Sequence, residues 1–165
     1  MIELVERLKV LNKTVSTMES CTGGALVSSI TDIEGSSDVI MFSAVTYSND
    51  YKIKMGVDKN IIEKYSVYSM ETAIEMSKSI SFFAGSDYGI GITGKLDRVD
   101  KNNLFGDDRT VFISIYDKSA DEYYNFNIVV YEDSRIKNKQ LVLDAIKVQM
   151  LEILNSKVKF RWAWW

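Results

Sequence analysis

The β-branched run Thr14 to Met18 gives way at Glu19-Ser20-Cys21-Thr22-Gly23-Gly24 to an apolar stretch of helical spacing, in a chain that contains no histidine. A strand that ends on a serine turn and passes straight into a helix is a building unit of an α/β domain. The turn places Ser20 beside the unpaired N–H groups of a helix entry, where Thr22, Gly23 and Gly24 can stabilise an oxyanion or hold an anion. The missing histidine excludes the usual imidazole base. Activation of Ser20 then requires a lysine kept neutral by burial, or a phenol that passes the proton along. Capping of the helix by Ser20 or Thr22 is the alternative reading of the same residues.

Leu4, Val5, Leu8 and Leu11 predict a first helix that stops near Asn12, followed by strand one at Thr14 to Met18. Ala25, Leu26, Ile30 and Ile33 predict a second helix, closed by Glu34-Gly35-Ser36-Ser37. Val39 to Thr46 reads as a buried strand, and Tyr47-Ser48-Asn49-Asp50 as a turn rich in helix-capping residues. A helix carrying Tyr51, Lys52 and Met55 ends at Gly56, a short one runs from Lys59 to Tyr65, and Ser69 caps a longer one reaching about Ala84. Strands follow over Tyr88 to Thr93, Arg109 to Tyr116 and Tyr123 to Tyr131, and a last helix over about Ser134 to Asn155.

This alternation predicts a single domain over residues 1–165, a three-layer α/β/α sandwich with a mixed, mostly parallel sheet. A hydrophobic content of 46% is enough to build its core. The polar stretch Lys95 to Asp108 is too long for a simple hairpin connection and is marked as a candidate lid.

A net charge of -3 argues against nucleic acid as a partner through bulk electrostatics. No signal-peptide pattern and no bilayer-length apolar run point to a membrane. A single cysteine fits a reducing compartment, and the chain is read as cytoplasmic. With no His and one Cys, no metal is expected. Gly89-Ile-Gly-Ile-Thr-Gly94 matches G-x-G-x-x-G, but its glycines lie inside a strand and no helix follows, so it is not read as a dinucleotide site. The terminal Phe160-Arg-Trp-Ala-Trp-Trp165 is read as packing on the domain or a dimer partner, with a membrane surface as the lesser alternative.

The nearest candidates to activate Ser20 are Tyr47 and Lys52, which bracket the start of the helix after strand two. If strands one and two are parallel, their carboxyl ends share one sheet edge and both turns face one crevice. A packing role for Tyr47 and a solvated charge for Lys52 are the alternatives. Cys21 is the rival nucleophile, but without an imidazole to lower its pKa it reads as a small buried neighbour.

Glu19-Ser-Cys-Thr-Gly-Gly24, followed in order by Thr31-Asp-Ile-Glu-Gly-Ser-Ser37, Thr46-Tyr-Ser-Asn-Asp-Tyr-Lys52 and Met55-Gly-Val57, resembles the CinA C-terminal domain, the family of PncC-type nicotinamide-nucleotide amidases. The resemblance implies hydrolysis of the carboxamide of nicotinamide mononucleotide to nicotinic acid mononucleotide and ammonia. It implies a nucleophile at Ser20, a proton-transfer unit of Tyr47 and Lys52, substrate contacts at Thr93, Gly94 and Arg135, no cofactor, and a homodimer. Lys139 matches a second basic position on the last helix. One segment departs from the family pattern. Where the family carries a Thr-Gly-x-Ala-Gly-Pro-Gly-Gly loop, Thr93-Gly94 is followed here by Lys95-Leu-Asp-Arg-Val-Asp100. Either Lys95 or Arg98 supplies a cationic contact in its place, or the pocket takes another substrate. The competing expectation is a domain that keeps the fold, has lost the reaction, and binds a nucleotide or a protein.

Overall fold

The computed structural model describes residues 1–162 except 99, 102, 103 and 105, with side chains described as far as residue 157. Five strands lie in the order β2-β1-β3-β4-β5: β1 (Val15–Glu19), β2 (Ile40–Val45), β3 (Tyr88–Gly94), β4 (Thr110–Asp117) and β5 (Glu122–Val129). β1 pairs in parallel with both β2 and β3, while β3, β4 and β5 form an antiparallel meander. The sheet is therefore mixed, with its parallel part confined to the three strands that carry the serine turn and its neighbours.

Among the described residues six α-helices accompany the sheet: α1 (Ile2–Leu11), α2 (Ala25–Thr31), α3 (Asn49–Lys54), α4 (Lys59–Tyr65), α5 (Met70–Ala84) and α6 (Arg135–Trp162). Helices α1, α2 and α6 cover one face, where Leu4, Leu8, Leu26, Ile30, Ile146 and Met150 join Ile90, Ile92, Ile113 and Ile115 in the larger core. The α5 helix covers the other face with α4 against it, around Met18, Ile62, Met76 and Ile80. Alternation along β3 and β4 sends Ile90, Ile92, Ile113 and Ile115 to the larger core and the residues between them to the α5 face.

Local chemistry sets the boundaries. Asn12 adopts the left-handed conformation that closes α1, Ser69 Oγ accepts the Thr72 amide at 3.1 Å to start α5, and Ser48 Oγ accepts the Tyr51 amide at 3.4 Å to start α3. The glycines of β3 have a packing purpose. A Cβ at Gly89 would collide with the Ser77 carbonyl oxygen, and one at Gly91 with that of Ala73, so α5 rests directly on strand backbone. Serines complete this contact, as Ser77 and Ser114 hydroxyls meet at 2.9 Å across it.

Two expectations change. The run Val39 to Thr46 forms a strand, but β2 is a sheet edge rather than buried, leaving Met41 and Val45 more than half exposed. β-branched and aromatic content marks a strand without saying whether both of its sides are covered. The last helix also continues to Trp162, beyond the expected Asn155. The aromatic terminus lies outside the residues whose side chains are described. No helix among the described residues is long and apolar enough to cross a membrane.

The β1 strand is central to the parallel part. The chain leaves its carboxyl end through α2 to reach β2 on one side, then passes through α3, α4 and α5 to β3 on the other. A crevice forms at such a switch point, beyond the carboxyl ends of the strands. Glu19 aligns with Val45 and with Ile92, so the residues that follow all three strands emerge at one edge.

Candidate active site

Ser20 is the first residue beyond β1, held by its amide to the Ile92 carbonyl at 3.0 Å. Its hydroxyl lies 3.0 Å from Nζ of Lys52, which also donates to the Thr46 carbonyl at 2.6 Å. Lys52 is only 1% exposed, although it belongs to the six-residue helix α3. Its ammonium has no carboxylate partner among the described residues, and burial lowers its pKa from 10.5 to about 8. Such a pair has the chemistry of a nucleophile and a base: with Lys52 neutral, one N–H can stay on Thr46 while the nitrogen lone pair takes the Ser20 proton. Cys21, next in sequence, packs in the larger core, and burial pushes its thiol up to about 12 despite the nearby Arg135. Cys21 also lines the pocket, but this shift disfavours the thiolate that a nucleophilic cysteine needs.

Glu19 organises the turn, a role that the sequence reading missed. Its side chain is fully buried and accepts from the Thr22 hydroxyl at 2.7 Å and from the amides of Gly24, Leu26 and Val27 at 3.1, 3.1 and 2.8 Å. A carboxylate between a buried strand and a helix that starts six positions later was the available signal. This finding removes the Gly23 and Gly24 amides from the expected oxyanion contacts and leaves that of Thr22. The Gly24 amide is taken by Glu19 and the Gly23 amide by the Ser20 carbonyl at 3.0 Å, while Thr22 is buried with its hydroxyl on Glu19. The amides of Cys21 and Thr22 remain, with no carbonyl or carboxylate acceptor among the described residues. Gly23 and Gly24 serve the turn itself, with φ of 62° and 91°. Gly23 also faces Lys139, whose Nζ would lie 3.5 Å from a Cβ built there.

Tyr47 and Arg135 come together in a way the sequence did not suggest. Arg135 Nη2 donates to the Tyr47 hydroxyl at 3.2 Å and approaches the Cys21 carbonyl at 3.5 Å. Tyr47 is exposed and lines the same pocket as Ser20 and Lys52, but its hydroxyl is engaged with Arg135 and not with that pair. Thr93 does not line the pocket: it is fully buried and donates to the Val67 carbonyl at 2.8 Å, because its position in β3 points it toward the α5 side. Gly94 does line the pocket, and a Cβ there would strike the backbone of Thr110 and Val111 across the β3–β4 pair.

The pocket encloses about 750 Å³ at the switch point. The start of the 95–108 segment forms one wall. There Lys95 is buried and paired with Asp108 at 2.9 Å, so the first of the two candidate loop cations is already committed. Tyr68 donates to Asp100 at 2.5 Å on the same wall. Burial, then this carboxylate, push the Tyr68 phenol up.

A family model described as the CinA C-terminal domain matches residues 1–153. The chain belongs to the CinA C-terminal domain family. The match takes in Ser20, Tyr47, Lys52 and Arg135. A CinA-like protein of Endomicrobium trichonymphae is 35% identical over 143 residues, 84% of this chain and 33% of that protein. One from Kosmotoga olearia is 45% identical over 92 residues, 55% of this chain and 22% of the relative. This CinA domain thus spans a fifth to a third of the length of these curated relatives. Among solved structures, a CinA superfamily protein from Escherichia coli matches with a TM-score of 0.84 at 25% identity, over 92% of this chain and 87% of its own. Another from Klebsiella pneumoniae has a TM-score of 0.85 at 20% identity, over 94% and 95%, a likeness in fold.

Proposed function

We propose that this CinA domain is a nicotinamide-nucleotide amidase, converting nicotinamide mononucleotide and water to nicotinic acid mononucleotide and ammonia. The observation that carries the reading is the buried Ser20–Lys52 pair, 3.0 Å apart, facing a pocket large enough for a nucleotide. Lys52 takes the Ser20 proton as Oγ attacks the carboxamide carbon. The amides of Cys21 and Thr22 stabilise the oxyanion. As the carbon–nitrogen bond breaks, Lys52 returns the proton to the leaving nitrogen and ammonia departs. Lys52 then deprotonates a water that attacks the ester on Ser20, and the serine oxygen leaves with that proton.

The test is ammonia release from nicotinamide mononucleotide by the wild type and by Ser20→Ala. The reading expects release that vanishes on substitution; release that survives it removes Ser20 as nucleophile. One observation favours a second reading, a CinA domain with another amide substrate or with none. The usual glycine loop is replaced here, and carboxylates of Asp50 and Asp100 line the pocket. Binding of the nucleotide without ammonia release supports that reading.

A further inference from the structure

The cations lining the pocket divide into two groups. Lys52 donates to Ser20 and Thr46, Lys95 is paired with Asp108, and Arg135 donates to Tyr47. Arg98 and Lys101 line the same pocket and make no ion pair with another described residue. Arg98 is exposed, yet the two acidic residues closest to it in sequence, Asp97 and Asp100, are fastened. Asp97, at a left-handed φ of 59°, binds Arg109 Nε at 2.8 Å and donates its amide to the Asp108 carbonyl at 2.8 Å. Asp100 holds the Tyr68 hydroxyl. Both neighbouring carboxylates are thus turned to other partners, and the guanidinium of Arg98 is the one charge of this triplet left to the pocket.

A guanidinium presents a planar fork that fits phosphate oxygens, and a phosphate monoester carries close to two negative charges at neutral pH. Arg98 and Arg135 in one pocket supply two positive charges for such a group. We infer that Arg98 is the specificity-determining contact for the phosphate of a phosphorylated substrate, acting with Arg135 where the family pattern places a glycine loop. The inference rests on the amidase reading for the reacting end of the substrate, while the phosphate end is measurable by binding alone.

Calorimetric titration of Ser20→Ala with nicotinamide mononucleotide, ribose 5-phosphate and nicotinamide riboside tests it. Adding Arg98→Ala is expected to weaken the two phosphorylated probes by about 10- to 100-fold. The riboside is expected to change by less than about twofold. Arg98→Lys, a point charge without the fork, recovers part of the loss. Equal weakening of all three probes, no weakening, or no binding of either phosphorylated probe overturns the assignment. Phosphate-dependent binding in a wild type that releases no ammonia removes the amidase reading and leaves Arg98 in place. Ammonia release with a KM that Arg98→Ala does not move does the reverse.

Discussion

Lys52 reaches from α3 across the end of β1 to place its Nζ 3.0 Å from the Ser20 hydroxyl, inside the protein and with no carboxylate among the described residues to balance its charge. A buried ammonium without a counter-ion weakens a fold, so its presence is best explained by chemistry. Lys52→Met keeps the length of the side chain and removes the amine. Ammonia release is expected to fall by about 10²- to 10⁴-fold, the range for losing a general base. The thermal midpoint is expected to hold or rise, because no buried charge remains. A large fall in both would make Lys52 structural.

The pH dependence follows from the same group. If Lys52 is the base of the proposed amidase, activity requires its neutral form, and kcat/KM is expected to rise with pH and level off above about 8. Stability follows the proton count. The unfolded chain keeps this proton up to about 10.5 and the folded chain loses it near 8, so unfolding takes up a proton between these values and stability rises with pH across that window. The gain is at most roughly 3 kcal/mol. Denaturant unfolding of wild type minus Lys52→Met at pH 7, 8, 9 and 10 isolates it, and a flat difference would contradict the assignment.

Tyr47 separates two roles by its kinetics. If its hydroxyl holds Arg135 toward the substrate, as the 3.2 Å contact indicates, Tyr47→Phe raises KM severalfold and leaves kcat nearly unchanged. A proton-relay role predicts a fall in kcat instead. Steady-state kinetics on the variant distinguishes the two.

Glu19→Gln replaces a carboxylate that only accepts with an amide that must turn one donor toward other donors. With Thr22 and three backbone amides converging on it, the expected cost is about 2–5 kcal/mol of stability. Displacement of Ser20 should reduce activity as well. Chemical denaturation measures the first effect. A change under about 0.5 kcal/mol, the ordinary surface value, would show that the turn does not depend on this charge.

Gly91→Ala tests why β3 is rich in glycine. The new methyl meets the Ala73 carbonyl and the backbone of Ser77 on α5, so overpacking costs about 3 kcal/mol or more. Gly85→Ala meets nothing, but sits at a φ of 72° and costs about 1 kcal/mol. Thermal melts of the two variants give the order.

Much of this was legible in the sequence because periodicity and capping are local. Ser69 starting α5 and Asn12 closing α1 follow from residue type and spacing, whereas Ser20 and Lys52 meet at one sheet edge only if strands one and two are parallel, as they are. The rest depends on what lies across space. Glu19 read only as the first residue of the serine turn, and the fold shows the amides of Gly24, Leu26 and Val27 aimed at it. Thr93 alternates away from the pocket by strand register, and Tyr47 meets Arg135, 88 positions later, through tertiary packing alone. The edge position of β2 was equally hidden, since a strand's composition does not name its neighbours.

The central claim is that Ser20 is acylated during the reaction, and hydroxylamine trapping addresses it most directly. Wild type turning over nicotinamide mononucleotide with hydroxylamine present should divert part of the product from the acid to the hydroxamate, through attack on the Ser20 ester, and Ser20→Ala should yield neither. Ammonia and acid formed without any hydroxamate, or hydroxamate formed equally by Ser20→Ala, would contradict it.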